Sequence, residues 1–447
     1  MKRKSIIILG AAGRDFHNFN MYFRNNKEFN VVAFTAAQIP DIADRKYPPE
    51  LAGDLYPEGV PVHPESELQY LIKELSVDTC VFSYSDVPYQ KVMAVSAIVN
   101  SAGANFSLLG WNKTMLKSTK PVIAVGAVRT GCGKSQTSRK IIEILMAKGL
   151  KVVAVRHPMP YGNLVAQKVQ RFAVLDDLSK NNCTVEEMEE YEPYIVRGNV
   201  IYAGVDYEVI LRAAENDPVG CDIILWDGGN NDFPFFKPDM MITVLDPHRP
   251  GHELSYYPGE VTLRIANVTV INKIDTAEQD AIAKVRQNIK MVNPSAIIVN
   301  AASPIRVDKP ELIKGKRVLV IEDGPTLTHG EMKIGAGIVA AKKYGATELV
   351  DPRPYITGKL HETFTAYPNI GALLPAMGYG EQQLHDLEKT INNTSCDTVI
   401  IGTPIDLNRI IKINKPSVRV FYDLQEIGHP DLKEVLEKFL DKYDFSH

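Results

Sequence analysis

The chain predicts an α/β fold of three-layer domains with mainly parallel sheets, and three observations carry that prediction. Short apolar runs alternate with helical segments along the whole sequence, the pattern of βαβ units. A glycine-rich turn sits between an apolar strand and a helix at 128–135. The length of 447 residues suits about three domains at roughly 150 residues each. The boundaries fall at 1–118, a Rossmann-like amino-terminal domain, 119–310, a central domain around the glycine-rich turn, and 311–447, a smaller α/β domain.

The first domain opens with strand Ser5–Leu9, the turn Gly10–Gly13 and a helix through Phe16–Asn25. Strands Val31–Thr35, Thr79–Ser83 and Phe106–Leu109 follow, with helices at Glu65–Leu75 and Tyr89–Ala102 and a polar linker at Trp111–Lys120. The central domain takes strands Val122–Val125, Lys151–Val155, Ile223–Trp226, Met241–Leu245, Val268–Ile271 and Ala296–Val299. The last takes Arg317–Ile321, Glu348–Val350, Thr398–Ile401 and Val418–Tyr422, with helices at Ala336–Tyr344 and Glu381–Asn392.

Composition narrows the function. Hydrophobic residues make up 45% and charged residues 23%, and 50 basic against 54 acidic side chains leave a net charge of −4. No strong field attracts nucleic acid or an anionic membrane. Five scattered cysteines without a CxxC pair exclude a disulfide scaffold and suit a reducing cytoplasm. The short run after Lys2-Arg3-Lys4 ends at Gly10, so it reads as a strand rather than a signal peptide. No apolar run is long enough for a membrane helix.

The chemistry begins at Val128-Arg-Thr-Gly-Cys-Gly-Lys-Ser135. Small residues let consecutive backbone N–H groups turn toward a phosphate, and the following helix adds its positive end. Thr130, Gly131, Cys132, Gly133, Lys134, Ser135 and Gln136 are therefore assigned to nucleotide binding, Lys134 to the β/γ-phosphates and Ser135 to magnesium. Val128 stands where GxxxxGK[ST] has its first glycine, so the loop looks like that of dethiobiotin synthetase and its relatives. Arg129 lies where the deviant subgroup has a signature lysine. The central domain reads as a P-loop NTPase.

Strand Cys221–Asp227 ends in an acid and two glycines, the form of a Walker B strand, which makes Asp227 the second magnesium ligand. Asn230, Asn231 and Asp232 would line the same edge. Asn272-Lys273-Ile274-Asp275 follows another strand, and a carboxylate there accepts from the guanine N1–H and 2-amino group; the alternative is a helix cap by Asp275. The nucleotide is ATP or GTP.

Two proline-stiffened loops, 156–162 and 246–253, leave the carboxyl ends of strands, where open sheets bind ligands. They offer Arg156, His157, Asp246, His248, Arg249 and His252. Arginine forks hold phosphate or carboxylate and histidines move protons near neutrality. With Lys134, Asp227 and Arg129, the residues Arg156, His157, His248, Arg249 and His252 are assigned catalytic roles toward a small anionic, phosphorylated substrate. A metal on His248 and His252 is disfavoured because Pro250 and Gly251 break the helix between them. The acidic run Glu186–Glu192 reads as a solvated helix face. Gly10-Ala-Ala-Gly13 is not GxGxxG and the second strand lacks a terminal acid, so NAD is not predicted, although His17, Asn18 and Asn20 would face some other ligand. Further strand-end candidates are Ser83–Asp86, Glu322–Gly330, Asp351–Pro354 and Gly402–Asp406.

Taken together, GAAGRDFHNFN (10–20), AVRTGCGKSQTSR (127–139), RHPMPYG (156–162), WDGGNNDFPF (226–235), DPHRPGHELSYYPGE (246–260), NKID (272–275) and EDGPTLTHG (322–330) resemble an archaeal and bacterial family of predicted GTPases or cyclic 2,3-diphosphoglycerate synthetase-like proteins. The resemblance spans nearly the whole chain and implies a magnesium-dependent, nucleotide-hydrolysing ligase that closes a phosphoanhydride within 2,3-diphosphoglycerate. The rival is a regulatory or metallochaperone-like GTPase switch acting on a protein partner. A dimer is the expected assembly.

Overall fold

The computed structural model describes all residues except 1–2, 12, 38–44, 158–161, 230–231, 325–334, 377–380 and 446–447. Its largest sheet has nine strands, in the order Val169–Phe172, Val200–Gly204, Val152–Arg156, Ile223–Asp227, Val122–Ala127, Met240–Leu245, Val268–Ile271, Ile297–Ala302 and Gln425–Glu426. The seven inner strands are parallel; the two edge strands run antiparallel. All six predicted central strands are present. Six of the inner strands, 122–127, 152–156, 200–204, 223–227, 240–245 and 268–271, are buried along their whole length, which explains why the five predicted among them read as continuous apolar runs. Strand Val200–Gly204, between two glycines, extends this sheet where none was predicted.

Strand Val122–Ala127 lies between Ile223–Asp227 and Met240–Leu245. The glycine-rich turn that follows it therefore emerges mid-sheet, beside the end of the Asp227 strand. Helix Lys134–Met146 starts from that turn.

The amino-terminal sheet runs Lys46–Tyr47, Val60–Pro64, Phe29–Ala36, Lys4–Leu9, Thr79–Phe82, Asn105–Leu108. Its first strand lies between the second strand and Thr79–Phe82, so connections leave it in opposite directions, the strand order of a topological switch point. The predicted helix here is divided: an α-helical turn Arg14–Asn18 continues as a π-helix over Phe19–Phe23. That winding buries Phe16, Phe19 and Phe23 together under the sheet.

The third sheet runs Ile305–Val307, Ser417–Tyr422, Thr398–Ile401, Arg317–Asp323, with Glu348–Leu349 and Leu374–Ala376 both paired to Arg317–Asp323. The chain then returns: Gln425–Glu426 joins the central sheet and helix Leu432–Leu440 buries Leu432, Val435, Leu436 and Phe439 in the central core. A short antiparallel pair, Val87–Pro88 with Tyr256–Tyr257, ties the first segment to the central one. No helix among the described residues is long and apolar enough to cross a membrane.

The acidic run departs from expectation. Helix Val185–Ile195 is capped by Thr184 and wedged between the central and third sheets, so Glu186, Glu187, Glu189 and Glu192 are all buried. The helix's apolar residues point both ways: Tyr191, Tyr194 and Ile195 join the central core and Val185 joins the third.

Candidate active site

At the glycine-rich turn, Gly131 and Gly133 adopt φ values of 81° and 105°, conformations that favour glycine. Space matters as much as conformation at Gly133, where a Cβ would sit 2.1 Å from Asn272 Nδ2. The loop is clamped from behind: Asn272 Nδ2 donates to Cys132 O at 2.9 Å, Lys273 Nζ to Gly131 O at 2.6 Å and Arg249 to Thr130 O at 2.8 Å. Asp246 gathers two of these cations, accepting from Lys273 at 2.9 Å and Arg249 at 3.1 Å. Burial alone would raise its carboxyl, but Lys273 and Arg249 hold it low.

Asp227 is the electrostatic centre. It is fully buried, with Lys134 Nζ on Oδ1 at 2.5 Å and both Tyr194 OH (2.5 Å) and Arg156 (2.9 Å) on Oδ2. Arg156 also pairs with Glu190. Burial opposes ionisation of Asp227, yet Lys134 and Arg156 outweigh it and hold the carboxyl far below the usual range. The Lys134 ammonium is pushed the other way, below its ordinary value, by burial and by Arg156. Tyr194 and Glu190, both from the buried acidic helix, were missed by sequence reasoning. A tyrosine four residues after an acid on one helix face was the available signal.

The predicted substrate cations do not form one centre. Lys134 and Arg156 share Asp227, whereas Arg129 and Arg249 hold the outer turn of the loop. Arg129 lies with its Nε 2.6 Å from Asp86 Oδ1 and its NH1 2.7 Å from His252 Nδ1. His248 is exposed and meets Thr276 Oγ1 at 2.9 Å. His157 packs its ring against Gly13 and Gly229, where a Cβ would collide with it. Each of these histidines meets a different protein partner in this arrangement. Gln136 accepts from Ser303 Oγ at 3.0 Å, and exposed Asp275 lies 3.4 Å from Ser303 N.

The residues that follow Gly13 make a set of contacts with the central segment. Arg14 donates to Asp232 Oδ2 at 2.7 Å and to Thr114 Oγ1 at 3.2 Å. His17 stacks on Phe235 with centroids 3.8 Å apart and reaches Thr114 O at 2.7 Å. Asn18 donates to Ser83 Oγ at 2.9 Å, and Asn20 accepts from Tyr47 OH at 2.9 Å. His17 and Asn20 are thus interior contacts, whereas Asn18 and Asp232, with Arg14, Ser83 and the Thr114 supplied by the expected linker, line a small cavity. Asn230, Asn231 and 325–330 lie outside the described residues.

The magnesium assignment fits in part. Ser135 is half-buried on the first turn of its helix, a suitable donor. Both oxygens of Asp227, however, are taken by Lys134, Tyr194 and Arg156, so it does not fit as a direct ligand in this arrangement. Among the described residues no group of three or more His, Cys, Asp or Glu could hold a metal.

No protein-family model matches the chain. Arginine synthetase ArcE of Thermococcus kodakarensis is 64% identical over 438 residues, covering 98% of this chain and 97% of that protein. The chain belongs to the arginine synthetase ArcE family. Cyclic 2,3-diphosphoglycerate synthetase of Thermococcus sibiricus is 29% identical over 105 residues, 23% of this chain and 24% of that protein. The expected relationship to the latter, thought to span nearly the whole sequence, is therefore confined to about a quarter of this ArcE-family chain. LpxK from Aquifex aeolicus, in complex with ATP, covers 79% of the chain and 97% of its own at 11% identity with a TM-score of 0.45, too loose a likeness to support an argument.

Proposed function

We propose that this chain is a nucleoside-triphosphate-dependent ligase that makes arginine. The observation that carries the reading is its 64% identity, across 98% of its length, to a protein named arginine synthetase. Arginine as product replaces a cyclised 2,3-diphosphoglycerate, since the diphosphoglycerate match is weaker and covers a quarter of the chain.

The site's chemistry is consistent with such a reaction. Assembling a guanidinium from a carbon that bears an oxygen requires that oxygen to leave, and phosphorylation makes it a leaving group. The turn 130–135 leads into the start of helix Lys134–Met146, whose amides would receive the nucleotide phosphates. Lys134 must leave Asp227 to reach a phosphate. Arg156 and Tyr194 stay on Asp227 meanwhile, so the buried carboxylate keeps a counter-charge and a donor when Lys134 moves. Lys134 then stabilises charge that develops on the transferred phosphoryl group. Asn272, Lys273, Arg249 and Asp246 hold the loop in register, as preorganisation requires. Magnesium would supply charge neutralisation near Ser135, while no step is assigned to Asp227 as its ligand.

Incubation with ATP or GTP and candidate ureido and nitrogen-donor substrates, followed by chromatography, tests the reading. Nucleotide-dependent arginine supports it. Slow GTP turnover accelerated by a protein partner, with no amino acid formed, supports the switch instead.

A further inference from the structure

The small cavity between the amino-terminal and central segments has one wall at the end of the first sheet. Arg14 and Asn18 follow strand Lys4–Leu9, and Ser83 follows its neighbour Thr79–Phe82. Those adjacent strand ends are the topological switch point, where an open α/β sheet takes its ligand. The facing wall is Asp232 and Phe233, in the loop after the Asp227 strand, with Tyr257 from the strand pair that ties the two segments.

The charges of the cavity balance. Among the described residues that line it, Arg14 is the cation and Asp232 the acid, both buried and 2.7 Å apart. Neither is saturated by the described residues. Arg14 gives three of its five N–H donors to Asp232, Thr114 Oγ1 and Phe233 O. Asp232 accepts from Arg14 on Oδ2 and from the Phe233 amide on Oδ1, which leaves a lone pair on each oxygen. Burial outweighs Arg14 and raises the Asp232 carboxyl above its ordinary value, so one cation does not offset the desolvation of this acid. Asn18 and Ser83, paired at 2.9 Å, add a buried amide and hydroxyl, while Phe82, Leu109 and Phe233 supply apolar wall. Apolar walls with a few convergent polar groups are the makeup of a small-molecule site. A plain anion there would face Asp232 and a plain cation Arg14, whereas a ligand with both charges suits each.

We propose that this cavity seats the head group of an α-amino acid, its carboxylate on Arg14 and its ammonium on Asp232. The proposal rests on the arginine-forming reading and deepens it, because it gives the amino-acid substrate and product a place beside the phosphate centre. Asp232 lies in the loop that continues the Asp227 strand. Gly13, next to Arg14, packs against His157, and Arg156, next to His157, holds Asp227. Both charged walls are thus joined to that centre through adjacent residues. As it stands the cavity has room for about one water. The head group therefore enters by parting Arg14 from Asp232 and inserts between them, so that each charge is paired again; the guanidinium fork suits a carboxylate.

The test is calorimetric titration of the full chain with four probes: arginine, agmatine, which lacks the carboxylate, Nα-acetylarginine, which lacks the ammonium, and inorganic phosphate. Wild type, Asp232→Asn and Gly110→Trp are compared, each checked by thermal melting. Gly110 is an exposed residue of the cavity wall at φ −62°. A Cβ there would meet Asn112 Oδ1 at 3.5 Å and Lys113 Cγ at 3.9 Å, ordinary contacts, so the position accepts a side chain. The expected result is arginine binding at least tenfold tighter than that of either analogue, weakened at least tenfold in both variants, with nucleotide binding unchanged. No arginine binding by the wild type, an analogue bound as tightly as arginine, phosphate bound in its place, or unchanged arginine binding in Gly110→Trp overturns it. Where Asp232→Asn does not fold, Gly110→Trp decides. A wild type that binds arginine by its head group and forms none defeats the functional reading and leaves the cavity standing; arginine formation with binding indifferent to both substitutions does the reverse.

Discussion

Asp86, from the amino-terminal segment, clasps Arg129 of the phosphate loop: its Oδ1 lies 2.6 Å from Arg129 Nε and its Oδ2 3.2 Å from the Thr130 amide. Asp86 adopts φ 57°, a left-handed conformation that aspartate tolerates better than most residues. The Arg129 guanidinium lies 3.6 Å from the Tyr256 ring centre, and Tyr256 belongs to the strand pair that ties the two segments together. The first segment therefore shapes the nucleotide loop of the second.

Replacing Asp86 by alanine tests that coupling. Both side chains are more than nine-tenths buried, and breaking a buried pair by removing one partner costs about 3–5 kcal/mol. Urea unfolding of Asp86→Ala is expected to show a loss of that size, together with a raised KM for nucleotide. A loss under about 1 kcal/mol would mean that the pair contributes little, as exposed ones do.

Tyr194→Phe removes one donor from Asp227 and leaves Lys134 and Arg156 in place. A hydrogen bond to a charged group contributes about 1.5–3 kcal/mol, so stability should fall by that amount and nucleotide turnover with it. Because Tyr194 stabilises the carboxylate form, the variant should also lose stability at higher pH on acidification. Denaturation curves taken on acidification from neutrality through the ordinary carboxyl value of about 3.9 and below it follow this directly. Superimposable wild-type and variant curves would remove Tyr194 from the centre.

Glu322 gives a second pH signature of opposite sign. Burial chiefly raises its carboxyl from 4.5 to about 7. A raised acid is protonated in the fold while the unfolded chain is already ionised, so its stabilising contribution is present below pH 4.5 and lost as pH rises to about 7. The melting temperature of the wild type should therefore fall relative to Glu322→Gln across that window. A constant difference between the two proteins would place the Glu322 titration elsewhere.

The sequence made the central strands legible because burial on both faces turns them into apolar runs, and the loop 130–135 because phosphate binding needs glycine and lysine in fixed order. Partners are harder to read than positions. Arg156 and Lys134 were recognisable as cations, but that they converge on one carboxylate depends on three neighbouring parallel strands. Glu186–Glu192 was misread because acidic side chains usually mark a wet face; here sheets on both sides of the helix bury them. The dinucleotide-like turn at Gly10 was visible, whereas its use in packing His17 against Phe235 comes from a contact more than two hundred residues away in sequence.

The most direct test of the central claim is product formation by the purified chain. With a nucleoside triphosphate, magnesium, a ureido amino acid and ammonium, the wild type should form arginine in step with nucleotide cleavage, and Lys134→Ala should form at least a hundredfold less while melting cooperatively. Nucleotide cleavage without arginine across both ATP and GTP, or full arginine formation by Lys134→Ala, would contradict it.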